Sequence, residues 1–309
     1  FGRVVNQMRE DGFHVTAEVP SVLDGSATRE SAISTGLLTM QLATVLDRLR
    51  PDVVVTIADR HETLATAIAA SYQHIQLCHV QGGELSGSID GKVRDAITQL
   101  ADIHCVATAG AAARVLAARP QATVYQTGCP SIDLAAEAIE LGPLPGHDVV
   151  VLQHPVTDEA DHAADQMQET IEAVRGMDVL WLWPGEEAGG EAMRKVMRQA
   201  ELTPAPVRTM PPVDFLRVLL GSGVLVGNSS VGIRECSFLG VPVVNIGRRQ
   251  RGRERAKNTM DVAQWEVVHH AGAIREAIRT AAAGGRPPRS TLYGEKGAGE
   301  HIARILGGS

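Results

Sequence analysis

Aromatic residues are scarce: Phe, Trp and Tyr together make up 3% of the 309 residues. Its cores must therefore be filled by Ala, Val, Leu and Ile, which the 44% hydrophobic content supplies. Lysine is nearly missing. Of 29 basic residues only Lys92, Lys195, Lys257 and Lys296 are lysines, so almost all positive charge is guanidinium. Basic residues are also outnumbered, and the net charge of -7 excludes a broad polyanion-binding face and with it a nucleic-acid partner. The four cysteines, Cys78, Cys105, Cys129 and Cys236, form no C-x-x-C pair. Three lie in or beside β-rich runs, so free thiols in a reducing cytoplasm are expected. No apolar run approaches the roughly 18–20 residues of a membrane span, so no membrane partner is expected.

What is present is an alternation. Short β-rich runs are expected as strands at His14–Val19, Asp52–Ala58, Ile75–Val80, His104–Ala107 and Thr123–Thr127. Helical patterns such as Glu30–Leu49 and Gly91–Ala101 lie between them. Residues 142–147, with two prolines and two glycines in six, break the pattern and read as a linker. Strands are then expected at Asp148–Gln153, Val179–Trp183, Val207–Met210, Val224–Gly227 and Val241–Ile246. Strand–helix alternation of this kind predicts α/β architecture with parallel sheets covered by helices. Two Rossmann-like domains are expected, at 1–141 and 148–309, with a ligand in the cleft at the carboxyl ends of both sheets. A doubly wound domain ordinarily opens on a strand. This chain opens on Phe-Gly-Arg and a helical pattern, so the first domain is expected to lack its first strand and helix.

Several short segments carry the chemistry. Residues 227–235, Gly-Asn-Ser-Ser-Val-Gly-Ile-Arg-Glu, follow a strand and open a helix. Ser229 or Ser230 can cap that helix, whose free N–H groups suit a phosphate, and Glu235 lies where a carboxylate could accept two ribose hydroxyls. The alternative is a plain cap with a solvated Glu. Residues 247–255 hold five arginines in nine beside that segment, and Arg249 is the best single phosphate contact; a solvated charged face is the alternative. His154 ends the first strand after the linker and points into the cleft, or is a buried structural histidine. In the first domain Asp59-Arg60 ends one strand, residues 79–84 (His-Val-Gln-Gly-Gly-Glu) end the next, and Asp90 and Arg94 follow. Asp59, Glu84 and Asp90 can converge on one cleft wall, as acid and base groups for proton transfer at carbon. Metal ligation by His79, Glu84, Asp90 and His104 is the competing reading, but their spacing fits no zinc motif.

In this order the segments resemble the UDP-N-acetylglucosamine 2-epimerases, most closely the hydrolysing, sialic-acid-type branch. The counterparts of its motifs start at Ala58, His79, Arg94, Gln153, Gly227 and Gly247 and cover nearly the whole chain. The resemblance implies a GT-B-type fold, no cofactor and no metal, and a homo-oligomer (dimer or tetramer). It also implies a mechanism. The anomeric C–O bond to UDP breaks and the C2 proton is lost, giving a 2-acetamidoglucal that is reprotonated from the other face. Asp59 and Asp90 match the proton-transfer carboxylates, with Gln81 and Glu84 in the same catalytic group. Arg60 and His154 match diphosphate contacts. Ser229 and Ser230 match phosphate binders, Glu235 the ribose ligand and Arg249 a further UDP contact.

The chain also departs from the family. Ala58 replaces a Gly, Gln81 a Glu, Asp95 a His, Gln99 a Lys and Gly185 a uridine-contacting Asn, and the family's N-terminal Gly-Thr-Arg-Ala-Asp segment has no counterpart. Because Gln81 cannot act as a base towards water, the sequence reading favours return of UDP, giving UDP-N-acetylmannosamine. The alternatives are hydrolytic release of N-acetylmannosamine, a GT-B glycosyltransferase, and a non-catalytic UDP-sugar binder.

Overall fold

The computed structural model of the protein describes residues 4–21, 23, 28–263 and 270–307. Two parallel sheets organise it. The first contains β1 (Val53–Ile57), β2 (Gln76–Val80), β3 (Ile103–Val106) and β4 (Thr123–Gln126), in the order β1-β2-β3-β4. The second contains β5 (Val149–Leu152), β6 (Val179–Trp181), β7 (Val224–Gly227), β8 (Val243–Ile246) and β9 (Thr259–Val262), in the order β6-β5-β7-β8-β9. The inner strands of the second sheet are rich in Val, Leu and Ile, and those of the first also bury Cys78, His79, His104 and Cys105, because both faces of a parallel sheet are covered.

In the first sheet, Val54 and Leu77 face helices Thr28–Leu49, His61–Tyr72 and Ile89–Leu100, which contribute Leu46, Ala67, Ala70 and Ile97 to one core. Small side chains let these helices sit close, which is how a chain poor in aromatics fills its interior. Cys78, Val80 and Cys105 point to the other face, under Ile302 of the last helix, Ala298–Gly307. In the second sheet, Val151, Val226 and Val244 pack on Met167, Met193 and Ile274 from one helical layer. On its opposite face, Val150, Leu225 and Val243 pack on Ala135, Leu219 and Leu239.

Ala135 and Ala138 lie on the helix Ser131–Leu141, before the linker, yet their core is that of the second sheet. The last helix makes the reverse crossing. The cores therefore do not follow the linear division at 141 and 148: each part of the chain lends one apolar helical face to the other. The two crossings are tied together at Asp133. Its Oδ1 accepts from the N–H groups of Gly297 (2.6 Å) and Ala298 (3.1 Å), and its Oδ2 from that of Gly299 (2.8 Å).

The sequence expectations need three corrections. Residues 14–19 form no strand; they have no ladder partner and are exposed or half-buried. Val207–Met210 reduces to one bridge between Val207 and Leu182. Prolines at 204, 206, 211 and 212 remove the donors that a longer ladder would need. Strand β9 was not expected. It is a four-residue edge strand, half-buried throughout, so it carries little periodic signal. The four cysteines are all buried free thiols. No helix among the described residues is long and apolar enough to cross a membrane.

The order of the second sheet reverses between β5 and β7. Such a switch point opens a crevice at the carboxyl ends of the two strands. His154 lies just past β5 and residues 228–230 just past β7, so the topology alone brings these two segments to one place.

Candidate active site

Asn228 fixes the two ends to each other. Its side-chain oxygen accepts the His154 N–H at 2.7 Å, and its amide donates to the His154 carbonyl at 2.8 Å. The Asn228 carbonyl in turn receives Gln250 Nε2 at 2.9 Å and an Arg249 guanidinium N–H at 3.2 Å. One amide residue thus registers β5, β7 and the arginine-rich segment after β8.

The His154 imidazole is assigned a tautomer by the backbone. Gly185 N–H donates to Nδ1 at 3.1 Å, so a neutral ring carries its proton on Nε2. Burial pushes its pKa down to about 4, with Arg249 and Arg60 acting in the same direction against Glu187. At neutral pH His154 is therefore an uncharged N–H donor.

Ser229 caps the helix that follows β7, accepting from Val231 N–H at 3.4 Å. The helix is shorter than its sequence suggests. It runs Ser230–Ile233, breaks at Arg234 and resumes as Glu235–Leu239. A four-residue turn has little macrodipole, so positive charge here comes chiefly from side chains. Glu235 is half-buried, and its Oε2 is enclosed without a hydrogen-bond partner among the described residues.

On the first-domain side, Ala58 and Gln81 end β1 and β2 with φ of 66° and 65°. Left-handed backbone at non-glycine residues turns each chain sharply out of the sheet. Asp59 follows Ala58, and its carboxylate is ion-paired with Arg94, whose side chain is fully buried. Arg94 also donates to the Glu84 carbonyl at 2.7 Å and to Ser86 Oγ at 3.3 Å, pinning the loop after β2 to the end of β1. Burial beside Arg253 and Arg234 lowers its pKa to about 9, still protonated at neutral pH. Asp90 lies in the first turn of helix Ile89–Leu100 and accepts from Ser88 Oγ at 2.9 Å.

A cavity of about 90 Å³ brings the two sides together. It is lined by Ala58, Asp59, Ser86, Asp90, Ser230, Arg234, Arg249, Gln250 and Arg253. Two carboxylates from the first domain thus face three guanidiniums and a serine hydroxyl from the second. That combination can hold an anion while moving a proton at a neighbouring carbon.

Four residues singled out in the sequence, Asp59, Asp90, Ser230 and Arg249, line this cavity. The others do not line it. Glu84, 2% exposed, does not line it: Oε2 sits between Arg234 (3.1 Å) and Arg253 (3.2 Å). Burial raises its pKa, but those two guanidiniums outweigh burial and hold it below the usual carboxylate range. Glu84 therefore acts as a permanent anion joining the domains. Gln81 is buried and donates from Nε2 to Cys129 Sγ at 2.9 Å. Arg60 is largely exposed at the start of helix His61–Tyr72, against Glu62 (3.2 Å) and Glu187 (3.6 Å).

Among the described residues no three His, Cys, Asp or Glu side chains are grouped to hold a metal ion. His79 is engaged instead through Nε2 with the Ala58 carbonyl at 2.9 Å. Sequence reasoning missed Arg234, Gln250 and Arg253 as cavity residues. All three lie inside segments it had marked, so only the direction of each side chain was hidden.

A fold of two facing parallel α/β units with this cleft defines the GT-B class. Solved structures agree. The chain superposes on the UDP-GlcNAc 2-epimerase of Methanocaldococcus jannaschii, a complex with UDP-GlcNAc and UDP, with a TM-score of 0.78, 15% identity, and coverage of 98% of this chain and 87% of that one. The Neisseria meningitidis UDP-GlcNAc 2-epimerase bound to UDP-GlcNAc gives 0.76 at 14% identity, covering 99% and 89%. The family profile described as UDP-N-acetylglucosamine 2-epimerase matches residues 1–307. The chain belongs to the UDP-N-acetylglucosamine 2-epimerase family. Among curated relatives it is 30% identical to the hydrolysing UDP-N,N'-diacetylbacillosamine 2-epimerase of Legionella pneumophila, over 99% of this chain and 84% of that protein. It is 27% identical to the UDP-N-acetylglucosamine 2-epimerase of N. meningitidis serogroup B, over 90% and 76%.

Proposed function

We propose that the protein inverts C2 of a UDP-linked 2-acetamido hexose by eliminating UDP and rebuilding the sugar from the glucal. The observation that carries this is the shared cavity of Asp59, Asp90, Ser230 and Arg249. One aspartate takes the C2 proton while the C1–O bond breaks and its electron pair leaves with UDP. Proton loss and bond cleavage form the C1=C2 double bond. The other aspartate returns a proton to C2 from the opposite face. Arg249, Ser230 and the Nε2–H of His154 hold the departing diphosphate, and Glu235 takes the ribose. The product then depends on what adds at C1. Water adds at C1 in our first reading, releasing the manno sugar and UDP. The likeness to a relative named as hydrolysing, across 99% of this chain, supports it.

A second reading, in which UDP adds back, draws on two observations. Gln81 replaces a carboxylate, and Glu84 cannot take over because its carboxylate is held by Arg234 and Arg253. Incubation with UDP-N-acetylglucosamine, and in parallel with its 2,4-diacetamido-trideoxy counterpart, separates the two. Free manno sugar accumulating with UDP from the first turnover fits the first reading, and a UDP-linked manno sugar fits the second. An unchanged sugar with both substrates would remove the proposal.

A further inference from the structure

One carboxylate at the cleft has no part in the scheme above. Glu187 lies in the turn after β6, and its Oε1 is 3.6 Å from Nη1 of Arg60, which follows β1. The contact spans the cleft. Glu187 folds back over Gly185: a β-carbon at 185 would collide with its Oε2. That glycine presents its N–H to His154 Nδ1. Glu187 Oε2 is buried with no hydrogen-bond partner among the described residues, although the side chain as a whole keeps 27% exposure. Burial opposes its ionisation, yet a backbone N–H and the nearby guanidiniums of Arg249 and Arg60 help hold its pKa below the usual carboxylate range.

Arg249 and His154 are assigned above to the diphosphate, and Arg60 is the further diphosphate contact that the family resemblance implies. A carboxylate has two oxygens and a delocalised charge, and engages a guanidinium as a phosphate edge does. We propose that Glu187 holds Arg60 in the unliganded protein as an internal stand-in for phosphate, so that a diphosphate must displace it. Glu187 then sets how much anionic charge a ligand needs, and displacing it also frees the Arg60 contact across the cleft. Gly185 makes room for the stand-in. This inference rests on the nucleotide reading for its biological ligand, but not for its physical test.

The test measures dissociation constants of UDP and of inorganic pyrophosphate by calorimetry for the wild type, Glu187→Gln and Glu186→Gln. Glu186 is the control, exposed and paired with Arg194 outside the cavity. Because Arg60 is largely solvated, the expected gain in Glu187→Gln is modest, about two- to fivefold tighter for both anions. It should shrink with added salt and be absent when Glu187→Gln is introduced into Arg60→Ala and compared with Arg60→Ala alone, with Glu186→Gln unchanged from wild type. Unchanged or weaker binding in Glu187→Gln overturns the inference, weaker binding meaning that Glu187 contacts the ligand itself. Tighter pyrophosphate with no UDP binding by any form would keep the stand-in and remove the nucleotide reading. Binding of neither anion by either form overturns both.

Discussion

At the scale of single residues, the site divides into groups that touch the cavity and groups that aim them. Asp90 reaches the cavity from a helix start and accepts a hydrogen bond from Ser88 Oγ on its carboxylate. Asp90→Asn keeps the size and loses the base. Turnover should fall by about 10²–10⁴, the usual contribution of a positioned acid or base, with UDP affinity nearly unchanged. A folded variant with wild-type turnover would remove Asp90 from proton transfer. Glu235 has a different task. Its enclosed Oε2 has no hydrogen-bond partner among the described residues, which leaves acceptor capacity for ribose hydroxyls. Glu235→Ala should weaken UDP by roughly 1–3 kcal/mol, the scale of lost hydrogen bonds to a charged group, read by calorimetry. Unchanged affinity would place the ribose elsewhere.

At the scale of elements, the site depends on where strands stop. β7 ends on Gly227, with a φ of 143° that only glycine takes readily, and a β-carbon there would run into the Leu152 carbonyl of β5. That close approach lets Asn228 clamp His154. Gly227→Ala must distort the strand end or push β5 away, at a cost on the order of 3 kcal/mol. A thermal melt should show a lower midpoint, and UDP affinity should fall with it because Asn228 moves. A midpoint matching the wild type would mean that the strand ends do not need this contact.

The strands that carry the site were legible in the sequence because they are largely apolar runs ending in polar motifs, which contain glycine after β2, β7 and β8. Residues 14–19 misled because alternation without a partner strand is not a ladder, and β9 escaped because an edge strand of four residues alternates too briefly. The Glu84 clamp was not legible at all. Glu84 lies 150 residues from Arg234, and nothing local distinguishes a cavity carboxylate from one held between two guanidiniums. The run 248–255 shows the same limit. Arg249 and Arg253 line the cavity, whereas Arg248 pairs with Glu159 and Arg255 with Asp261.

At the scale of the whole molecule, charge is buried in both forms. Guanidiniums at 94, 234 and 253 are enclosed with Glu84 and Asp59, and three enclosed imidazoles stay neutral. Burial pushes His79, His104 and His154 down to about 4, so the unfolded chain binds protons near pH 6 that the native state refuses. Their contribution to stability is therefore fully present above about pH 6.5 and is lost as pH drops from 6.5 towards 4. Urea midpoints measured across that window should decline steadily with falling pH. A flat profile would mean that these imidazoles are protonated in the native state.

The cavity itself is lined from both parts of the chain, by Asp59 and Asp90 from one and by Ser230, Arg234, Arg249 and Arg253 from the other. The central claim is that these act together on C2. The most direct measurement is an NMR time course with UDP-N-acetylglucosamine in deuterium oxide. The account predicts a manno-configured product, free or UDP-linked, with deuterium at C2 from the first turnovers. Release of UDP with gluco-configured sugar carrying hydrogen at C2 would contradict it.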